Sequence, residues 1–230
     1  EGSVTVSGSA DGSGDFSITV DASGLSDGTL TLSVTATDAA GNVSAAGTDT
    51  AEKDILAPAA PAITSIAGDD KINDSEKAAV VIIGTAEANA TISGTLTDTG
   101  AGSVDVSGSA DGSGAFSITV DASGLADGTL SLSITATDAA GNVSAAGTSS
   151  AVKDIAAPVI STVTSDATGA GVLKVGDTIT FTVTMNPTED SLTIAPTTYN
   201  GGTLVWSTTD SGANYTATYT VAEGQTDQGT

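Results

Sequence analysis

Residues 103–155 read SVDVSGSADGSGAFSITVDASGLADGTLSLSITATDAAGNVSAAGTSSAVKDI, and residues 3–55 read almost the same. The two stretches align without a gap at an offset of 100. They differ only at positions 5, 15, 26, 31, 34, 49, 50 and 52 of the first copy. Such near-identity marks the duplication of a whole folding unit. A period of 100 is too long for a solenoid turn or a propeller blade, and it suits a seven-stranded sandwich.

The pattern inside the repeat is that of strands. Phe116, Ile118 and Val120 alternate on one face, as do Leu130, Leu132, Ile134 and Ala136. A spacing of two puts each apolar set on one side of a strand, as a two-sheet core requires. These runs predict strands E and F, with D at Val104–Ser109 and G at Val143–Val152. Upstream, Ala62–Ala67 predicts strand A. Ala79–Ala86 predicts B, with Val80–Ile83 in the core, and Ala90–Asp98 predicts C. Asp111-Gly-Ser-Gly, Ala126-Asp-Gly-Thr and Ala140-Gly-Asn supply turn residues that tolerate positive φ. No segment has a helical period. The expected fold is all-β: tandem immunoglobulin-like Greek-key β-sandwich domains in an elongated rod.

Proline marks the joints, at Pro58, Pro61 and Pro158. Proline fixes φ and restricts the residue before it, so these linkers read as semi-rigid. Residues 1–54 carry only the D-to-G half of a repeat. Residues 55–157 form a complete one, and residues 158–230 form the N-terminal part of a divergent sandwich. In that last part Val159–Thr164, Thr178–Met185, Ser191–Ile194, Thr203–Ser207 and Tyr215–Val221 are expected as strands. The chain is expected to be a window of something longer, because residue 1 falls inside a strand-like pattern.

Composition narrows the function. The 230 residues hold 28 acidic and 5 basic side chains, for a net charge of −23. Phosphate binding needs clustered Lys and Arg, so nucleic acid is not an expected partner, nor is an anionic membrane surface. With no Cys and no His, disulfides, Cys/His zinc sites and histidine acid–base catalysis are out of reach. No apolar run is long enough for a membrane span.

Several motifs taken together resemble the extender repeats of giant type I-secreted bacterial adhesins and biofilm proteins, built of bacterial Ig-like domains. They are Ala136-Thr-Asp-Ala-Ala-Gly-Asn-Val-Ser-Ala145 with its echo at 36–45, Ile66–Glu76, Gly84–Ala90 and Leu125–Thr129. The resemblance covers residues 1–158, whereas 159–230 lack these motifs. It implies a stalk on the bacterial cell surface, made of many domains, that projects a ligand-binding region for adhesion or biofilm formation. It also implies Ca2+ at the domain junctions.

The acidic residues give that implication a physical test. In a sandwich the A–B and E–F loops lie where the chain leaves. The B–C, D–E and F–G loops lie where it arrives. Asp69, Asp70, Asn73, Asp74, Glu76 and Asp127 sort to the outgoing end, beside linker Asp154. Asp27 is the counterpart of Asp127 in the first copy. Glu87 and Asp138 sort to the incoming end, beside linker Asp54. Carboxylates gathered at one end repel one another unless a cation lies between them, and Ca2+ takes six to eight oxygen ligands in flexible geometry. The opposing reading is that Asp and Asn are turn formers anywhere. The spacing is not that of an EF-hand. Asp111 and Asp121 read as plain turn residues. The single Ala10-Asp-Gly-Ser-Gly-Asp-Phe16 run reads as a hairpin turn, not a calcium β-roll.

The expected role is a calcium-stiffened structural extender, not an enzyme. Its partners are neighbouring repeats of the same chain, with receptors met through other regions. Two alternatives stay open. The aromatics Tyr199, Trp206, Tyr215 and Tyr219 belong to either a glycan-binding face or the core of a larger sandwich. The half-domains also suit a filament completed by strands from neighbours.

Overall fold

The computed structural model describes residues 2–167, 173–185, 194–195, 197–199, 201–208 and 214–224. They fall into two compact units, Glu1–Ile155 and Ala156–Thr230. No helix occurs among the described residues.

In the first unit, β1 (Gly28–Val34) and β2 (Gly47–Lys53) form an antiparallel hairpin. The complete repeat follows as β3 (Ala62–Ile66), β4 (Lys71–Ile72), β5 (Val80–Thr85) and β6 (Thr91–Thr97), then β7 (Ser103–Ser109), β8 (Ala115–Val120), β9 (Gly128–Thr137) and β10 (Gly147–Lys153). Two sheets face each other. One runs β3-β5-β8 and the other β4-β10-β9-β6-β7.

Strands A, B, C, E and F lie where the alternation put them, within two residues. G begins later than expected, since Val143 makes only an isolated bridge to Thr137. Two features differ from what strand-by-strand alternation can state. The expected D strand, β7, to which the sequence assigned no sheet, pairs with β6 and so belongs to the F–G sheet. Alternation says that a strand has an apolar face, but not which sheet holds it. The second difference is β4, two residues inside the acidic A–B loop, which pairs in parallel with β10. A two-residue strand carries no periodicity to read.

The register explains the core. Val80, Ile82 and Gly84 of β5 face Val120, Ile118 and Phe116 of β8. Ile92, Gly94 and Leu96 of β6 face Ala136, Ile134 and Leu132 of β9. Ile66, Val80, Ile82, Ile92, Leu96 and Ile134 are wholly buried. Each contributes about 1.5–3 kcal/mol of transfer free energy. Gly94 is forced by space, because a Cβ there would collide with the Ser133 carbonyl.

The second unit has a sheet of β11 (Ile160–Ser165), β12 (Thr178–Met185) and β15 (Asn214–Thr220). It also has a hairpin of β13 (Thr197–Tyr199) and β14 (Gly202–Leu204). Of the expected Ser191–Ile194 strand, residues 191–193 lie outside the described residues and Ile194 is not in a strand. Tyr215 and Tyr219 are buried, and Trp206 packs half-buried against the cores around both. Trp206 Nε1 donates to Thr197 Oγ1 at 2.8 Å. Tyr199 meets Phe181 and Tyr219 with ring centroids 4.9 and 5.2 Å apart. Two of the three tyrosines thus fill the interior of this unit.

Candidate functional site

The turns that carry most of the acidic residues of the complete repeat lie at the ends of its strands, while Asp105 lies within β7. At the outgoing end, β4 lies along the end of β10. Val152 N donates to Asp70 O at 2.9 Å and Asp154 N to Ile72 O at 3.0 Å. Ala122 N donates to Lys77 O at 2.8 Å, which ties the E–F side to the A–B loop. The A–B loop, the E–F loop and linker Asp154 therefore share one end.

Within that end the side chains have separate employments. Asp69 Oδ1 accepts Lys71 N at 3.1 Å. Asp70, left-handed at φ 60°, accepts Ile66 N at 2.8 Å. Asn73 Oδ1 accepts Ser75 N at 2.9 Å, while Asn73 N donates to Glu76 Oε2 at 3.1 Å. With Glu76 N donating to Asn73 O at 3.1 Å, these bonds close the turn. Asp74 makes an ion pair with Lys77. Among the described residues, no three acidic side chains converge on a point where a metal ion would sit.

Asp127 has a cation of the protein's own. Lys153 Nζ lies 3.0 Å from Asp127 Oδ1 and 2.8 Å from Leu125 O. The lysine is only 2% exposed. The first copy repeats the arrangement: Lys53 Nζ lies 3.0 Å from Asp27 Oδ1 and 2.7 Å from Leu25 O. Asp27 Oδ2 also accepts the linker amide of Ile55 at 3.4 Å. Close by, Asp98 accepts Gly100 N, Gly102 N and Ala126 N at 2.7–2.8 Å. Its carboxylate thereby ties the turn after β6 to the E–F loop. The amide of Ala126 and then that of Gly102 hold its pKa below the usual Asp value.

Neither Lys153 nor Asp98 was singled out by the sequence reading. The signal for Lys153 was its recurrence at an offset of 100 in a chain with five basic residues. For Asp98 it was the D-T-G-A-G run at 98–102, a side chain followed by two glycine amides it can reach.

At the incoming end, the F–G turn is closed by Asp138, which accepts Asn142 N and Asn142 Nδ2, each at 2.8 Å. The Asn142 side chain, then the backbone, hold Asp138 below the ordinary Asp pKa against the opposing effect of burial. Asn142 Nδ2 also donates to the backbone carbonyl of Asp54 at 3.2 Å. The turn of the second repeat thus touches the linker that leaves the first. The Asp54 carboxylate accepts Leu56 N at 3.0 Å, and the carbonyl of Glu87 accepts Ala90 N at 3.1 Å. Asn89 N donates to Asp111 O at 3.0 Å, which joins the B–C turn to the β7–β8 turn.

Two oxygens at this junction, of the Asp138 carboxylate and the Asp54 carbonyl, are of the kind Ca2+ takes, and both accept from the Asn142 Nδ2 amide. A half rotation of the Asn142 amide presents Oδ1 in place of Nδ2. Asp138, Asn142 and the Asp54 carbonyl are the residues of the described structure that would hold the ion.

Two sheets in this order, joined by short turns, define the immunoglobulin-like β-sandwich class. Residues 57–154 match the family model of the bacterial Ig domain. No curated protein matches its sequence. Among solved structures, the chain is similar to a Ca2+-stabilized adhesin that helps an Antarctic bacterium reach out and bind ice. They share 29% identity, covering 92% of this chain and 53% of that one, with a TM-score of 0.42. It is similar also to a tetra-tandem repeat in the extending region of a large adhesion protein, at 24% identity over 94% of this chain and 55% of that one, TM-score 0.41. A bacterial immunoglobulin-like domain from the M. primoryensis ice-binding adhesin is 31% identical over 43% of this chain and all of that domain, TM-score 0.32. The chain thus spans about half the length of the first two.

Proposed function

We propose that the chain is a non-catalytic spacer from a large bacterial cell-surface adhesin, with Ca2+ set into the joint between successive repeats. On this reading residues 1–54 and 55–157 are the D-to-G half of one repeat and a complete second repeat. Residues 158–230 open a divergent domain. The protein is extracellular and serves adhesion or biofilm formation through regions beyond the spacer.

The contact of Asn142 with the Asp54 carbonyl carries this reading. A spacer must convert stiffness within domains into stiffness across them, and this contact crosses from linker to domain. Alone it is a neutral hydrogen bond contributing about 1 kcal/mol. With calcium drawn to Asp138, Asn142 and Asp54, the joint gains ionic bonds that resist bending. Extracellular calcium modules bind at about 10⁻⁴–10⁻³ M, so the joint would be loaded outside the cell and empty inside it. The −23 charge keeps parallel copies apart.

Small-angle scattering of the 230-residue chain tests the proposal. In millimolar calcium chloride the largest dimension should rise and its distribution should narrow, relative to EDTA at matched ionic strength. Identical curves in the two buffers would reject a calcium-set joint.

A further inference from the structure

The chain enters the complete repeat through Pro61 and β3 and leaves it through β10 and Asp154. The entering and leaving segments run side by side in the same direction. At the start of β10, a Cβ on Gly147 would collide with the Pro61 carbonyl. At its end, Val152 and Lys153 pair in parallel with Lys71 and Ile72 of β4. Opposed pulls on the two chain ends therefore slide one segment past the other. The bonds between them are strained together rather than opened one by one. Lys153 is the last residue of β10, where such a load leaves the sheet. Beside it, Val152 N donates to Asp70 O at 2.9 Å and Asp154 N to Ile72 O at 3.0 Å. Its own ammonium donates to Leu125 O at 2.8 Å and to Asp127 Oδ1 at 3.0 Å. The E–F loop gripped in this way is itself fastened: Ala122 N donates to Lys77 O at 2.8 Å, and Ala126 N to Asp98 Oδ2 at 2.7 Å. The end of the exit strand is thus joined to the A–B loop, to the E–F loop and, through Asp98, to the turn after β6.

We propose that Lys153 is a mechanical latch, the residue that spreads tension leaving the repeat over three segments and whose release frees β10 to slide from β4. Burial makes the latch abrupt. Lys153 is 2% exposed, so its ammonium must part from the carbonyl and the carboxylate before water can replace them. A buried charge without partners is costly. The cost falls on the partly slid state, and so raises the barrier to unfolding under load. Forced unfolding is governed by that barrier, whereas equilibrium melting is not. The ion pair of Lys77 with Asp74 offers no such resistance, because both side chains are partly open to water. The latch recurs in the first copy, where Lys53 Nζ lies 2.7 Å from Leu25 O and 3.0 Å from Asp27 Oδ1. Each copy therefore carries one at the last strand before a linker. The proposal takes from the spacer reading only that the chain bears tension, and it needs no calcium.

Single-molecule force spectroscopy in EDTA tests it. The full chain is tethered by its two ends, and the second repeat is recognised by a contour-length step of about 300 Å. At constant force Lys153→Met should unfold on the order of 10-fold faster than the native chain. Ile118→Val, a change in the core away from the load path, serves as the comparison. Its acceleration should be the smaller once each variant is scaled by its own loss in denaturant unfolding. The chain has no cysteine, so Gly112→Cys gives a second attachment point. A pull between residue 1 and this turn leaves β10 unloaded, and there the excess effect of Lys153→Met over Ile118→Val should vanish. Equal unfolding rates of Lys153→Met and the native chain under end-to-end load would overturn the proposal. So would the same acceleration in both pulling directions, which is what a loss of ordinary stability gives. If Lys153→Met does not fold, Asp127→Asn carries the same comparison, since it leaves the lysine its carbonyl bond. Failure here leaves the calcium-set joint standing, because that joint is read separately by scattering.

Discussion

Lys153 reaches back from the end of its strand to within 3.0 Å of Asp127, while its own side chain is 2% exposed. The same bond, at the same distance, joins Lys53 to Asp27. A buried ammonium must be paired, and the pair together with the Leu125 carbonyl supplies that. The outgoing end of each repeat thus carries a built-in cation where the sequence suggested a metal ligand. Removing Asp127 leaves the buried lysine with the Leu125 carbonyl and the charge of Asp98 nearby. We expect Asp127→Ala to destabilise the second repeat by about 2 kcal/mol, and Lys153→Met/Asp127→Ala to recover part of that loss. Denaturant unfolding of the three proteins measures it; a double variant weaker than Asp127→Ala would refute the pairing as the cause.

The twin copies predict opposite responses to one substitution. Val120 is 7% exposed and Val20 is 45%. Val120→Asp buries an unpaired carboxylate and should cost about 3 kcal/mol or more, whereas Val20→Asp should stay within about 0.5 kcal/mol. Equal losses in melting experiments would show that residues 3–20 are packed in solution as residues 103–120 are.

Gly94 tests the strand register. A methyl group there meets the Ser133 carbonyl, which is backbone and has nowhere to move. Gly94→Ala should separate β6 from β9 and cost about 3 kcal/mol. The β1–β2 hairpin of the first copy should keep its exchange protection.

Acid should weaken the turns. Asp98, Asp111 and Asp138 all lie below the ordinary Asp value, chiefly because amides and hydroxyls donate to them. A group whose folded pKa is depressed contributes stability that is complete above its unfolded value, 3.8 for Asp. That stability is lost as the pH falls through the folded value. Melting temperature in EDTA should therefore drop between about pH 5 and pH 2, and Asp98→Asn should flatten the drop. A Tm that rises through this range would mean that relief of the net negative charge dominates.

Most of the complete repeat was legible in its sequence because its information is local. Phe116, Ile118 and Val120 state their face by alternation alone, and Gly-rich turns mark where each strand ends. The pairing of β7 with β6 was not legible, because sheet membership depends on distant strands. Residues 3–9 and 15–20 make the same point from the other side: close to β7 and β8 in sequence, they form no strand where no described segment pairs with them. At the candidate site the sorting of acids to two ends was readable. Their individual bonds were not, since Asp70, Asn73 and Glu76 meet backbone amides within a few residues, where spacing looks the same for a capped turn as for a ligand set. Lys153 escaped notice because a lone lysine near a strand end ordinarily faces water.

The most direct measurement is thermal unfolding of the 230-residue chain in millimolar calcium chloride and in EDTA, with sodium chloride as the ionic-strength control, repeated on Asp138→Asn. At tenfold excess over Kd each ion adds about 1.4 kcal/mol. The account predicts a rise of several degrees in the native chain that sodium does not reproduce, and a smaller rise in Asp138→Asn. No difference between calcium and EDTA would contradict it, leaving a sandwich repeat whose junction is held by the Asn142–Asp54 hydrogen bond alone.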